Sequence, residues 1–225
     1  MGNKSSSKGK KDPTILTEED MKILKDNTKY SEEQIQAWHT GFLKDCPSGK
    51  LDKKQFLNVY KKFYPEGKAD KYCNFVFKAF DTDNNNWIDF TEFLQAVGVS
   101  QHGSLREKLG MAFDIYDQNK DGQINRKDMI KIIEAMYDLA NEEDRTGDKA
   151  PDKRVNLIMQ RFSKDKADVV HRTEFIEGCL RDELLRKILA PNTALDAEGF
   201  TSTTTTVTTV PIYKTTSINE TGAAV

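Results

Sequence analysis

Residues 81–92 read DTDNNNWIDFTE, with acidic or amide side chains at the first, third, fifth, ninth and twelfth places: Asp81, Asp83, Asn85, Asp89 and Glu92. A hard divalent cation takes about six to eight oxygens at close range, and short side chains at alternate positions of a tight turn deliver them. The longer Glu92 closes the shell with both carboxylate oxygens, and the backbone carbonyl of Trp87, at the seventh place, adds a further donor. Carboxylates crowded in this way repel one another unless a cation lies between them. The sixth place is Asn86, where such turns usually carry Gly. That position needs a left-handed backbone, which Asn tolerates better than most residues but less cheaply than Gly.

This is the pattern of an EF-hand calcium loop, and it recurs. DQNKDGQINRKD at 117–128 puts Asp117, Asn119, Asp121, Gly122, Gln123 (through its carbonyl), Asn125 and Asp128 at the matching places. An aromatic precedes each loop (Phe80, Tyr116), Ile fills the eighth place (Ile88, Ile124), and Phe93 and Met129 follow the twelfth, which marks an internal repeat. Asp128 is one methylene shorter than Glu, which lowers calcium affinity and favours magnesium in this loop. Two further copies have lost their ligands. KDCPSGKLDKKQ at 44–55 keeps Gly49, Leu51 and Phe56 but begins on Lys44 and ends on Gln55. SKDKADVVHRTE at 163–174 keeps Val170 and Glu174 but has Ser163, Ala167 and Asp168 at the first, fifth and sixth places. Both read as silent, so two calcium sites are expected.

One such hand cannot bury its apolar helix faces alone. The hands therefore pair, with Leu51 opposite Ile88 and Ile124 opposite Val170 in short antiparallel bridges. The expected fold is all-α: four EF-hands in two pairs, one live and one silent loop in each. The expected units are a basic arm (1–16), a first pair (17–100), a second pair (101–190) and a Thr-rich tail (191–225). Thr17-Glu-Glu-Asp20 and Ser31-Glu-Glu-Gln34 are capping-box helix starts. Ile35, Trp38 and Phe42 fall on one helix face, residues 141–152 read as a polar linker, and 153–162 and 172–190 read as the last two major helices.

The chain of 225 residues carries a formal net charge of −2, so bulk electrostatics do not point to nucleic acid. No apolar run approaches the roughly 18 residues of a membrane span, and no hydrophobic signal core is present. Cys46, Cys73 and Cys179 lack metal-ligand spacing and are expected as reduced thiols. His39, His102 and His171 sit near no nucleophile, so no catalysis is expected.

Met1-Gly2-Asn-Lys-Ser-Ser6 fits the N-myristoylation pattern at Gly2, followed by Lys4, Lys8, Lys10 and Lys11 before any acid. One acyl chain holds a membrane only marginally, and a basic patch is the usual second signal. The expected location is cytoplasmic and peripherally membrane-associated. At the other end, residues 201–209 hold seven Thr in nine positions, a composition that reads as disordered.

On GFLKDCPSGKL (41–51), NVYKKFYPEG (58–67), FDTDNNNWIDFTEFLQA (80–96), EKLGMAFDIYDQNKDGQI (107–124) and the Met1-Gly2 start, the chain resembles the neuronal calcium sensor family over about residues 1–190. The resemblance implies a helical sensor with a calcium-linked myristoyl group and a hydrophobic groove for a target helix. It also implies regulation of kinases, cyclases, channels or receptors without catalysis, by a monomer or weak dimer. Candidate groove residues are Trp38, Phe42, Phe56, Tyr60 and Phe63, with ordinary core as the competing reading for each. A permanent regulatory subunit resembling the B subunit of calcineurin, with mainly structural metal, and a calcium buffer are the alternative functions.

Overall fold

The computed structural model describes residues 12–63, 68–162 and 169–190, with the side chains of Tyr60, Lys62 and Phe63 outside that description. Helix α1 (Glu18–Asn27) starts on a capping box in which the Thr17 hydroxyl accepts from Asp20 N–H and the Asp20 carboxylate accepts from Thr17 N–H. Helix α2 (Glu32–Asp45) repeats the device with Ser31 and Gln34 and ends at Cys46. Strand β1 (Leu51–Asp52) then leads into α3 (Lys53–Phe63). Helix α4 (Ala69–Phe80), β2 (Trp87–Ile88) and α5 (Phe90–His102) form the second helix–loop–helix, and β1 pairs antiparallel with β2, Leu51 opposite Ile88.

The second half follows the same order. Helix α6 (Leu105–Tyr116), capped by Ser104 and Glu107, leads through β3 (Gln123–Asn125) into α7 (Arg126–Leu139). Helix α8 (Pro151–Phe162), β4 (Val169–His171) and α9 (Arg172–Arg181) form the last unit, and Ile124 lies opposite Val170. Both bridge registers agree with the sequence expectation. They follow from burial: Leu51, Ile88, Ile124 and Val170 are all at most 1% exposed, so the eighth place of every loop points inward.

Two sequence expectations change. The segment 172–190 is two helices, because Asp182 breaks it. Its Oδ1 accepts from Leu184 N–H and Leu185 N–H, starting α10 (Glu183–Leu189), while Arg161 from α8 holds Oδ2 at 2.5 Å. Residues 141–152 are also more ordered than a linker. They contain a 3-10 turn at Gly147–Lys149 and the first residues of α8, whose Pro151 takes the position where a missing N–H costs nothing.

The core is aromatic in both halves. Phe42 meets Phe90 and Phe93 at 5.6 and 5.2 Å, and Phe56 meets Phe77 and Phe80 at 5.7 and 5.9 Å. Phe175 gathers Phe113, Tyr116 and Phe162 within 5.9 Å. Helix α4 packs against α6 and α7, joining the halves. At that seam Asp138 pairs with Lys71 (3.0 Å) and Arg145 (2.5 Å), and its carbonyl accepts from Lys68 N–H (2.9 Å).

Candidate metal centre

The loop after α4 is wound by its own acids. Asp81 Oδ1 accepts from Asn85 N–H (2.9 Å) and Oδ2 from Asn86 N–H (3.0 Å). Asp83 Oδ1 accepts from Asn85 N–H (3.1 Å), and Asn85 Oδ1 from Trp87 N–H (3.0 Å). Asn86 sits at φ 69, the left-handed turn that its place demands. Glu92 reaches back across the loop: Oε1 accepts from Thr82 N–H (2.8 Å) and the Thr82 hydroxyl (2.6 Å), and Oε2 from Asp89 N–H (3.1 Å). Asp81, Asp83 and Glu92 thereby bring ligand oxygens within 4.8 Å of one another, the one such group among the described residues.

Asp81 is 4% and Glu92 9% exposed. Burial pushes the Glu92 carboxyl up, and the neighbouring Asp89 charge adds to it, against hydrogen bonds from Thr82 and Asp89 N–H that lower it. A divalent cation between the three carboxylates would favour their charged form. The donor set consists of oxygens only, on a turn of the right hand, and it fits calcium.

The loop at 117–128 begins in the same way. Asp117 accepts from Asp121 N–H (3.2 Å) and Gly122 N–H (2.8 Å), Asp121 Oδ1 accepts from Gln123 N–H (2.9 Å), and Asn119 Nδ2 donates to Asp121 Oδ2 (2.8 Å). Its far end differs. Asp128 Oδ2 accepts from Asn125 Nδ2 (2.6 Å), and Oδ1 is paired with Lys131 (2.8 Å). Glu92 spans its loop, whereas Asp128 is held locally by Asn125 and Lys131. The donors again suit a hard cation, with Asp128 engaged elsewhere.

The ninth and twelfth places serve a second purpose in all four copies. They cap the outgoing helix: Asp52 with Gln55, Asp89 with Glu92, Asn125 with Asp128, and Glu174 accepting from His171 N–H. Capping explains why the first and fourth copies keep polar residues there. In the first copy, Gly49 has φ +68 and lies so close to Pro13 and Thr14 that a Cβ would collide with their backbone. Lys50 places its ammonium 3.9 Å from the centre of the Trp87 ring. Residues 163–168 of the fourth copy lie outside the described residues.

Among the groove candidates, Phe42 and Phe56 are buried at 4% and 6% exposure, and Trp38 is partly buried, 6.1 Å from both Tyr30 and Phe93. The side chains of Tyr60 and Phe63, and all of Gly2, lie outside the described residues. His39 and His102 pack edge-on against Phe90 and Tyr30. Cys46, Cys73 and Cys179 are buried, and burial pushes the Cys73 and Cys179 thiols up to about 12. Among the described residues no helix is long and apolar enough to cross a membrane. Sequence reasoning missed Lys120, whose ammonium lies against the neighbouring loop. The only signal for it would have been knowledge of how the two halves dock.

A family model described as an EF-hand domain pair matches residues 47–98 and 106–180. S-modulin from Aquarana catesbeiana is 36% identical over 193 residues, covering 84% of this chain and 92% of that protein. Neuronal calcium sensor 1 from Lymnaea stagnalis is 40% identical over 176 residues (77% and 92%), and human recoverin is 34% identical over 193 residues (84% and 93%). With paired EF-hands in both halves and relatives of this kind along most of its length, the chain belongs to the neuronal calcium sensor family.

Proposed function

We propose that this chain is a calcium sensor without catalysis of its own, which takes calcium into the loop at 81–92 and a second divalent ion into the loop at 117–128. The observation that carries the reading is the convergence of Asp81, Asp83 and Glu92 on one point of a correctly wound loop. Asn85, the Trp87 carbonyl and Asp89 complete the first set. Asp117, Asn119, Asp121, the Gln123 carbonyl and Asp128 form the second, with magnesium as a competitor because of Asp128. The family's S-modulin, neuronal calcium sensor 1 and recoverin support the sensor reading over a buffer or a constitutive subunit.

Filling the loops turns the helices within each pair, residues 17–100 and 101–190, and uncovers apolar side chains. Trp38, Phe42, Phe56, Tyr60 and Phe63 then receive an amphipathic helix of a target such as a kinase, cyclase, channel or receptor. A myristoyl group on Gly2 and the lysines of the arm hold the protein, as a monomer or weak dimer, on the cytoplasmic face of an anionic membrane. Gly2→Ala, which removes the acylation site, should strongly weaken binding to anionic vesicles relative to the acylated wild type, and undiminished binding would count against the anchor.

Trp87 makes the central claim measurable. In a Trp38→Phe parent, where Trp87 is the one tryptophan, its emission should change on calcium titration, with midpoint in the range of about 10⁻⁷–10⁻⁵ M. Glu92→Gln should weaken it by at least about tenfold, or ~1.4 kcal/mol. Flat Trp87 fluorescence and unchanged hydrophobic-dye binding from zero to millimolar calcium would sink the sensor reading.

A further inference from the structure

Lys120 belongs to the loop at 117–128, yet its ammonium is bound by the loop at 81–92. Nζ donates to the carbonyl of Asp81 (2.7 Å), the carbonyl of Thr82 (3.2 Å) and Asn84 Oδ1 (3.0 Å). An ammonium has three protons, and here each has an acceptor in the other half of the molecule. Lys120 and Asn84 hold the same, fourth, place in their loops, and both have φ 57, so equivalent turns meet tip to tip. Lys120 also lines a cleft of about 330 Å³, together with Ala79, Thr82, Asp114, Asp117, Gly122 and Arg172.

We infer that Lys120 is a positioning residue that couples ion binding between the two loops, an inference that rests on the two-site reading above. The fourth place lies between ligands at the third and fifth. Drawing Asn119 and Asp121 onto an ion therefore moves the stem of Lys120. Its ammonium in turn rests on the backbone of Asp81, the first ligand of the other loop. There its positive charge opposes a divalent cation, and withdrawing it relieves that opposition. Coupling of this kind is reciprocal: whatever ion binding at 117–128 does to the site at 81–92, binding at 81–92 does in return.

A double-mutant cycle read through Trp87, with Trp38→Phe in the parent and in every variant, tests this. With Lys120 in place, disabling the second loop with Asp117→Asn should weaken the Trp87 calcium midpoint by about fivefold. Lys120→Met keeps the length of the exposed side chain and removes its charge. It should tighten the midpoint about threefold, and in that background Asp117→Asn should shift it by less than about 1.5-fold. Asn84→Gly, which keeps the left-handed turn but removes one acceptor, should give an intermediate shift. Matching thermal unfolding of the ion-free variants excludes a loss of fold. An equal Asp117→Asn shift with and without Lys120, or no shift with Lys120 in place, overturns the coupling and leaves the sensor reading intact. Trp87 emission that ignores calcium in the Trp38→Phe parent overturns the sensor reading and the coupling together.

Discussion

Asp128 and Glu92 differ by one methylene, and their surroundings magnify the difference. Glu92 is long enough to cross its loop and accept from Thr82, which places its carboxylate beside Asp81 and Asp83. Asp128 stays on its own side, bonded to Asn125 and Lys131. On the proposed two-site reading, an ion entering the second loop would have to draw Asp128 away from Lys131, and the shorter side chain would then offer a single oxygen, which would suit octahedral magnesium better than calcium. Asp128→Glu should therefore tighten calcium binding at the second loop by about tenfold, ~1.4 kcal/mol, and reduce competition by magnesium. Calorimetric titration with and without millimolar magnesium checks this, and unchanged competition would remove Asp128 as its cause. The ligand types were legible in the sequence because each place in the loop has its own chemistry. The partner of Asp128 was not, since Lys131 three residues on reads equally well as a solvated surface lysine.

The helix–loop–helix unit is written locally and repeated four times. Caps at Thr17, Ser31, Asp89 and Ser104 join residues three apart, so they can be read directly from adjacent letters. The bridge registers were readable for a similar reason, since the eighth place is apolar in every copy. The break at Asp182 was less visible, because the apolar pattern continues through it and the capping bonds compete with helix continuation only once Arg161 holds the side chain. The first loop is structurally constrained: Gly49 is left-handed and abuts Pro13 and Thr14. Gly49→Ala meets both a backbone penalty and a collision, and should cost about 1–3 kcal/mol. Residues 12–16 should then become more susceptible to limited proteolysis. A variant as stable and as resistant as wild type would show that this contact is not closely packed.

At the level of the whole molecule, the two halves are held by α4 against α6 and α7 and by a polar clamp at Asp138, whose side chain is 10% exposed. Burial pushes its carboxyl up, but hydrogen bonds and charge from Arg145 and Lys71 outweigh that and hold it below the usual carboxylate range. A folded value below the unfolded one stabilises in full above the ordinary carboxylate pKa, and the stabilisation is lost as pH falls through the lowered value. Asp138→Asn should therefore lower stability by about 1–2 kcal/mol at pH 7, and the gap from wild type should close below about pH 3. Chemical denaturation at both pH values measures it; a gap that persists in acid would assign the loss to packing. The spacing of ligands, the caps and the pairing of hands were present in the amino-acid order, because each depends on residues a few places apart or on the burial of one repeated position. The cross-loop bond from Lys120, the clamp at Asp138 and the capture of Asp128 by Lys131 came from packing. A charged side chain has no preferred partner until docking brings one within hydrogen-bond reach and takes water away.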